Sequence, residues 1–478
     1  MTSQKFNSPW SRRAPHRILP VTMAAVLALS GCASWSPKTP EVPAPVIPTA
    51  WSTTAAQTGG NMPTSSASSL AQWWQRFNDP LLNTLVTQAL QTNTSVWSAK
   101  AALQQARALR DVQGAGLLPG VSTSGSVGRS KSGGNEASNN FRVGLDASWE
   151  PDIFGGKGSS LNASEADAQA SEATLADVQV SVAAEVALAY IQLRGLQAQW
   201  LIARNNLISQ QETLQITDWR AQAGLITSLE VEQARTASEQ TAAQIPTLEA
   251  NMAKASHSLA VLTGQTPVTL QALVLAPQPV PQAAQDLALS IPAQTLRQRP
   301  DLRAAEFRVN AALSRVSAAD AARYPSFSIQ GSLGLSALTL GTLSNGASVV
   351  NSLLGSVSVP LFDGGAAKAQ VRAQEAALEQ ARASYQAVIL TALQDVEDAL
   401  VALQGDRARL IRLQNAATAA DNAALLALQR FNSGLIDFQT VLQTQRSLLS
   451  TQDSVATTRA DISADHVRLY KALGGGWN

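Results

Sequence analysis

Residues 149–156 read Trp149-Glu150-Pro151-Asp152-Ile153-Phe154-Gly155-Gly156 and run into a long segment rich in Ala, Gln, Glu and Leu. A similar stretch occurs 209 positions later, before a similar segment, as Val359-Pro360-Leu361-Phe362-Asp363-Gly364-Gly365. Ala223-Gly224-Leu225-Ile226 recurs at offset 210 as Ser433-Gly434-Leu435-Ile436. Because separate motifs share nearly one offset, the sequence indicates an internal duplication.

Each copy is predicted to contain the same elements in the same order. A helix (95–116; 301–322) precedes two alternating segments, which are followed by a very long helix (158–222; 366–431) and a last helix (226–262; 436–473). The long segments lack Pro, and at 1.5 Å per residue each predicts a rod of roughly 95 Å. The two shorter helices of a copy together match the long one, which predicts a layered helical cylinder.

The four alternating segments predict β-strands. Odd positions of 327–335 are apolar or Gly and even positions are polar or Gly, and 141–149 follow the same pattern. Residues 349–359 keep the same parity at Ser352, Ser356 and Ser358, and 121–129 follow it more weakly. Strands of about 10 residues with one polar face and terminal aromatic residues are typical of a transmembrane β-barrel with a wet lumen. A transmembrane helix and a soluble β-sandwich are the alternatives, and the Ser and Gly content counts against the helix.

Four strands cannot close a barrel, and open sheet edges are not tolerated in lipid. The sequence therefore predicts an α+β membrane protein whose barrel is shared between chains. Two copies would give eight strands, which their own side chains fill, so a conducting pore favours a homotrimer.

The composition argues against several classes of protein. Only 14% of residues are charged, the formal net charge is +1, and there is one Cys. We expect no disulfide framework, no metal site, no cofactor and no nucleic-acid partner. His257 and His466 stand alone in helical segments, and no phosphate-binding Gly loop follows a strand, so we expect no enzymatic activity.

The N-terminal region resembles a bacterial lipoprotein signal. Basic residues without acids precede an apolar run over 18–29, which ends at Leu29-Ser30-Gly31-Cys32. We expect cleavage after residue 31 and acylation of Cys32, with Ala33 permitting sorting to the outer membrane. A buried free Cys in an ordinary signal region is the alternative.

These patterns predict five parts of the chain. They are the signal peptide over 1–31, an acylated extended arm over 32–78, a first repeat over 79–264, a Pro-rich linker over 265–292, and a second repeat over 293–478.

Over residues 70–478 the sequence resembles the outer-membrane efflux proteins of the TolC type, especially their NodT-like lipoprotein branch. The specific motifs are Trp73-Trp74 with Phe77-Asn78-Asp79-Pro80-Leu81-Leu82, Leu296-Arg297-Gln298-Arg299-Pro300-Asp301-Leu302, and the terminal 469–477. The resemblance implies a homotrimer with a 12-stranded outer-membrane barrel continued by a 12-helix periplasmic tunnel. It also implies a passive exit duct supplied by a periplasmic adaptor and an inner-membrane pump, often of the resistance-nodulation-division (RND) class.

The resemblance also assigns candidate site residues. Gly224 and Gly434 would form the periplasmic tip turns that meet the adaptor. The periplasmic gate would involve Gln439, Thr440, Gln443 and Arg446, with Glu230 able to pair with Arg446 or to remain solvated. The family signature Arg299, Pro300 and Asp301 also fits an ordinary helix start, because Pro suits the first turn and Asp the positive end.

Two other functions fit parts of the sequence. One is an extracytoplasmic coiled-coil structural lipoprotein, which accounts for the helices but not for the alternating segments. The other keeps the duct but changes the cargo, to a secreted protein or to metal ions.

Overall fold

The computed structural model describes residues 71–134, 136–274, 276–283 and 293–475, which form long helices and one sheet. A 3₁₀ turn, Trp73–Phe77, precedes the first helix. The helices are α1 Pro80–Thr92, α2 Thr94–Ala115, α3 Gly156–Gln222, α4 Ser228–Leu262, α5 Pro267–Val274, α6 Pro300–Ala321, α7 Ala366–Asn432 and α8 Phe438–Ala472. The strands are β1 Gly120–Ser130, β2 Ser138–Trp149, β3 Ser326–Ala337 and β4 Val349–Ser358.

The internal duplication is confirmed. Both long helices, α3 and α7, have 67 residues, and both closing helices, α4 and α8, have 35. Each long helix begins after a Gly in the left-handed region, Gly155 at φ 75° and Gly365 at φ 88°. The glycines that precede the two long helices are therefore 210 positions apart, one more than the offset of 209 between the motifs themselves.

The structure corrects several predicted boundaries. Helix α1 is absent from the prediction, and α5 lies inside the segment interpreted as a linker. Helices α4 and α8 begin two residues later than predicted, because Thr227 and Asp437 are N-cap residues with extended backbones. Cys32 and most of the proposed arm lie outside the described residues.

The four strands form one antiparallel sheet in the order β1-β2-β3-β4. The register pairs apolar residues on one face, such as Val143 with Leu335, and polar residues on the other, such as Ser332 with Ser352. The outer strands β1 and β4 each pair with only one described strand, so both sheet edges are free within one chain.

The main apolar core lies along α3, where α1, α4, α6 and α8 pack against it, and α7 joins the core through α6 and α8. Trp73 is fully buried and stacks on Tyr470 with ring centroids 5.5 Å apart. The Tyr190 hydroxyl donates to Asp79 Oδ2 at 2.7 Å, and the other oxygen of Asp79 caps α1. The Trp73 turn and the start of α1 are thereby fixed to the end of α8 and to the middle of α3.

Candidate functional site

Two turns with the same geometry join each long helix to its closing helix. Gly224 and Gly434 both have φ 71°. The N–H of Leu225 donates to Arg220 O, and that of Leu435 donates to Arg430 O, each at 2.9 Å. A left-handed residue followed by this backward bond ends a helix and satisfies its last carbonyls. These two turns are called the tip turns below.

The helix caps that follow the tip turns each combine a threonine and a carboxylate. The threonine comes first in one repeat and the carboxylate comes first in the other. Thr227 caps α4 and its N–H donates to Glu230 Oε2 at 3.1 Å, forming a capping box. At the equivalent positions of the second repeat, Asp437 caps α8, and Thr440 donates to Asp437 Oδ1 from its N–H at 2.9 Å and its hydroxyl at 2.6 Å. Each tip turn therefore carries one carboxylate, held locally.

These hydrogen bonds stabilise the charged forms of both carboxylates. The Thr227 side chain lowers the pKa of Glu230 below its usual value, and the Thr440 side chain does the same for the pKa of Asp437. Within one chain Glu230 forms no ion pair with Arg446 among the described residues. In the described chain the Glu230 carboxylate is bound by Thr227 in the capping box.

The remaining predicted gate residues lie on α8. Gln439, Gln443 and Arg446 are exposed at spacings of four and three, so they share one helix face, whereas Thr440 belongs to the cap. Arg446 also borders a groove between α3, α4 and α8, together with Gln210, Thr241 and Asp453. Gln439, Gln443 and Arg446 thus lie on one exposed face of α8, where their side chains bind no other described residue.

A ladder of side-chain hydrogen bonds joins α3 to α8, and the sequence interpretation does not include it. Gln199 donates to Thr457 at 2.8 Å, Asn206 donates to Gln452 at 2.9 Å, and Thr213 accepts from Gln445 at 3.1 Å. The α3 members are seven residues apart, which keeps them on one face of the helix. This heptad of polar residues in an Ala-rich helix is the signal that could have revealed the ladder.

Arg220 continues the same heptad at the tip. Its guanidinium donates to Phe431 O at 3.0 Å and Asn432 O at 2.9 Å, the last carbonyls of α7. It also lies 4.6 Å from the centre of the Phe431 ring, and this ring is 5.2 Å from that of Phe438. Ala234 and Leu214 complete the apolar cluster. A cation at a helix C-terminus is stabilising, and here it joins the two repeats.

The signature residues form a structural junction at the other end of the closing helix. Pro300 is the first residue of α6, as the helix-start interpretation expects. Arg299 is buried and binds both oxygens of Asp301, at 3.0 and 2.7 Å. Its third contact, from Nη1 to Ala472 O at 2.7 Å, joins the start of α6 to the end of α8. These contacts make the signature a fixed joint between helices.

The family assignment follows from the duplicated helices, the open sheet and these junctions together with sequence similarity. The profile described as outer membrane efflux protein matches residues 85–265 and 291–475. The chain belongs to the outer membrane efflux protein family. It is therefore an outer-membrane efflux channel protein, of the kind that serves tripartite pumps.

Relatives of this efflux protein resemble it over nearly their whole length. The pyoverdine export outer membrane protein OpmQ of Pseudomonas aeruginosa is 32% identical, covering 86% of this chain and 89% of OpmQ. Outer membrane protein OprJ of the same organism is 31% identical, covering 95% of each. The solved structure of the outer-membrane channel OprN is 34% identical with a TM-score of 0.85, covering 92% of this chain and 98% of OprN.

The polar face of the sheet supplies a wall suited to an efflux channel. Ser328 and Ser356 lie 2.6 Å apart, Ser332 and Ser352 lie 2.8 Å apart, and Ser124 donates to Asp146 at 2.7 Å. Hydroxyls that bond each other across strands leave a hydrated surface with few charges.

Proposed function

We propose that three copies of this chain form one outer-membrane channel, a 12-stranded barrel that continues into a periplasmic tunnel of helices. The observation that carries this proposal is the sheet with free edges at β1 and β4 and one face on which polar residues and Gly predominate, interrupted by Val350 and Leu354. Edges left free in lipid are costly, and pairing β4 of one copy with β1 of the next removes them. Three copies leave room for a water-filled lumen.

The channel would conduct drugs or other small molecules passively, delivered by an inner-membrane pump of the RND type through a periplasmic adaptor. The relative OpmQ bears the name of a pyoverdine exporter, which supports a small-molecule cargo. The tip turns at Gly224 and Gly434, together with Gln439, Gln443 and Arg446, are proposed as the adaptor-facing gate region. Glu230 and Thr440 would act there through the helix caps.

The deciding experiment is single-channel recording of the purified, lipidated protein in planar bilayers, with its mass measured in detergent. We expect discrete conductance steps from a particle with the mass of three chains. A monomer without conductance would contradict the channel and favour a coiled-coil structural lipoprotein. Export assays with the pump and adaptor genes supplied together would separate small-molecule cargo from protein or metal cargo.

We further propose that Cys32 is the acylated first residue of the mature chain, after removal of residues 1–31, and that 32–78 form an arm. The Leu29-Ser30-Gly31-Cys32 motif supports this. Metabolic labelling with a radioactive fatty acid should label the wild-type protein. Cys32→Ser should abolish the label, and labelling that persists in this variant would contradict the assignment.

A further inference from the structure

The two repeats meet within one chain along a contact that we call the internal seam. It consists of the α3–α8 ladder, formed by Gln199, Asn206 and Thr213 with their partners, and of the tip contacts of Arg220 with the end of α7. The aromatic pair Phe431 and Phe438 packs at the same end. In a closed ring of three duplicated chains, every internal seam must alternate with a seam between copies.

The duplication predicts which residues face each other in the seam between copies. This step rests on the proposed trimer. Adding 210 to a first-repeat residue gives its second-repeat equivalent, so α7 takes the place of α3. The place of α8 is then taken by α4 of the neighbouring copy. The contacts of the internal seam therefore serve as a template: they predict which residues of two neighbouring copies contact each other.

Arg430 is the equivalent of Arg220 and is the residue this template positions most clearly. Its side chain is exposed in the single chain and forms no hydrogen bond or ion pair with the described residues. The carbonyls of Ala221 and Gln222, equivalent to those of Phe431 and Asn432, end α3. Ala221 O accepts from Gly224 N at 2.9 Å, as Phe431 O does from Gly434 N. The two helix ends therefore have the same geometry, but among the described residues a guanidinium binds the end of α7 and none binds the end of α3.

We propose that the Arg430 guanidinium of each copy donates to the Ala221 and Gln222 carbonyls of the neighbouring copy and caps its α3. The contact combines a cation with the negative end of a helix, the arrangement already present at Arg220. Arg430 is thus an intersubunit residue of the tip, and its partner is a second copy of this chain.

The rest of the seam between copies differs from its template. The equivalents of Asn206 and Thr213 are Ala416 and Ala423, which cannot form a ladder. Phe431 and Phe438 correspond to Ala221 and Ser228, so the aromatic pair is not repeated. The seam between copies therefore lacks the middle and lower rungs of the ladder and the aromatic pair that the internal seam has.

Paired cysteines test the contact directly in the purified full-length trimer. Arg430→Cys with Gln222→Cys, treated with a bismaleimide of about the reach of an Arg side chain, should give covalent dimers and trimers. The matched control, Arg220→Cys with Asn432→Cys, should link only within a chain and run as a monomer on a denaturing gel. Each single cysteine variant should give neither product.

The outcomes separate the inference from the proposed function. An intact trimer in detergent whose control pair links within the chain, while the Arg430–Gln222 pair yields only monomers, would overturn the contact and leave the channel standing. Absence of both a trimer and conductance would overturn the channel and this inference together.

Amide hydrogen exchange tests the same contact without introducing cysteines. Arg430→Gln should increase exchange roughly tenfold at 219–223, the end of α3, which Arg430 does not contact within its own chain. Arg220→Gln should increase exchange at the end of α7 instead, and Arg430→Lys should retain part of the protection. If Arg430→Gln leaves 219–223 unchanged in the trimer, the proposed cap does not exist.

Discussion

Asn93 and Arg299 occupy the same position in the two repeats, and each donates a hydrogen bond to the last residue of its repeat's closing helix. Asn93 Nδ2 lies 2.8 Å from Leu262 O, and Arg299 Nη1 lies 2.7 Å from Ala472 O. Two residues after each acceptor comes a glycine with positive φ, Gly264 or Gly474. Gly264 packs against Thr92, the residue before Asn93, and Gly474 packs against Arg299. The duplication has therefore preserved a joint while changing the side chain that makes it.

The buried charge of Arg299 is balanced by Asp301, so replacing only one of the two residues should leave the other charge without its partner. Arg299→Asn, which installs the residue of the first repeat, should lower the free energy of unfolding by about 2 kcal/mol because Asp301 loses its partner. The measurement is the thermal melting of the purified trimer. Adding Asp301→Asn should restore part of the loss; a double variant no better than the single one would argue against the pair.

Tyr190→Phe should destabilise the protein by about 2 kcal/mol, because the carboxylate of Asp79 loses the hydroxyl that donates to it. Burial, followed by the hydrogen bond to Asp79, raises the pKa of Tyr190 to about 12. The wild type should therefore lose stability between about pH 10 and 12, where the unfolded Tyr ionises first.

The Phe variant should lack this alkaline loss in melting curves. Tyr324→Phe is the matched control, because Tyr324 stacks on Phe154 but its hydroxyl has no partner among the described residues. Equal effects of the two substitutions would show that the Asp79 contact contributes little.

Acid should loosen the second tip turn. The pKa of Asp437 is lowered by Thr440, so the cap is fully effective above the ordinary pKa of an Asp and weakens as the pH falls below it. Hydrogen exchange of 438–442, corrected for intrinsic rates, should rise on acidification. Asp437→Asn keeps an N-cap residue without a titrating group and should remove this pH dependence. A persisting dependence would assign it to another group.

Strands β2 and β3 approach closely at a pair of glycines. A Cβ on Gly334 would lie 2.7 Å from Val143 O and 2.9 Å from the Cα of Gly144. Gly334→Ala should therefore disturb the strand pairing and reduce the heat-modifiable barrel form on gels. Gly355→Ala is the control, because a Cβ there meets nothing within 4 Å. A Gly334→Ala barrel assembling as well as the control would contradict the close approach.

The sequence predicts the repeated helices and all four strands because their signals are periodic and long. The motifs are offset by 209 residues and the helix starts by 210; a difference of one residue has no periodic signature, and the backbone angles at Gly155 and Gly365 reveal it. Helix α5 was hidden by the prolines around it, since Pro267 begins this helix as its first residue.

Side-chain partners were harder to predict than elements. Glu230 was assigned a possible partner across helices, but a threonine three residues earlier binds it, because a local capping box orders few residues and forms at little entropic cost. The Asn206–Gln452 hydrogen bond depends on which faces of α3 and α8 meet. These helices are far apart in the sequence, and no pattern within either one specifies the facing residues.

The free edges of β1 and β4 have a genetic consequence. In the proposed trimer each edge is completed by another copy, so a chain with a damaged strand could still join a ring through its intact edge and disrupt that ring for the other two copies. Co-expression of such a chain with the wild type should therefore be dominant, reducing efflux by more than its share of the subunits.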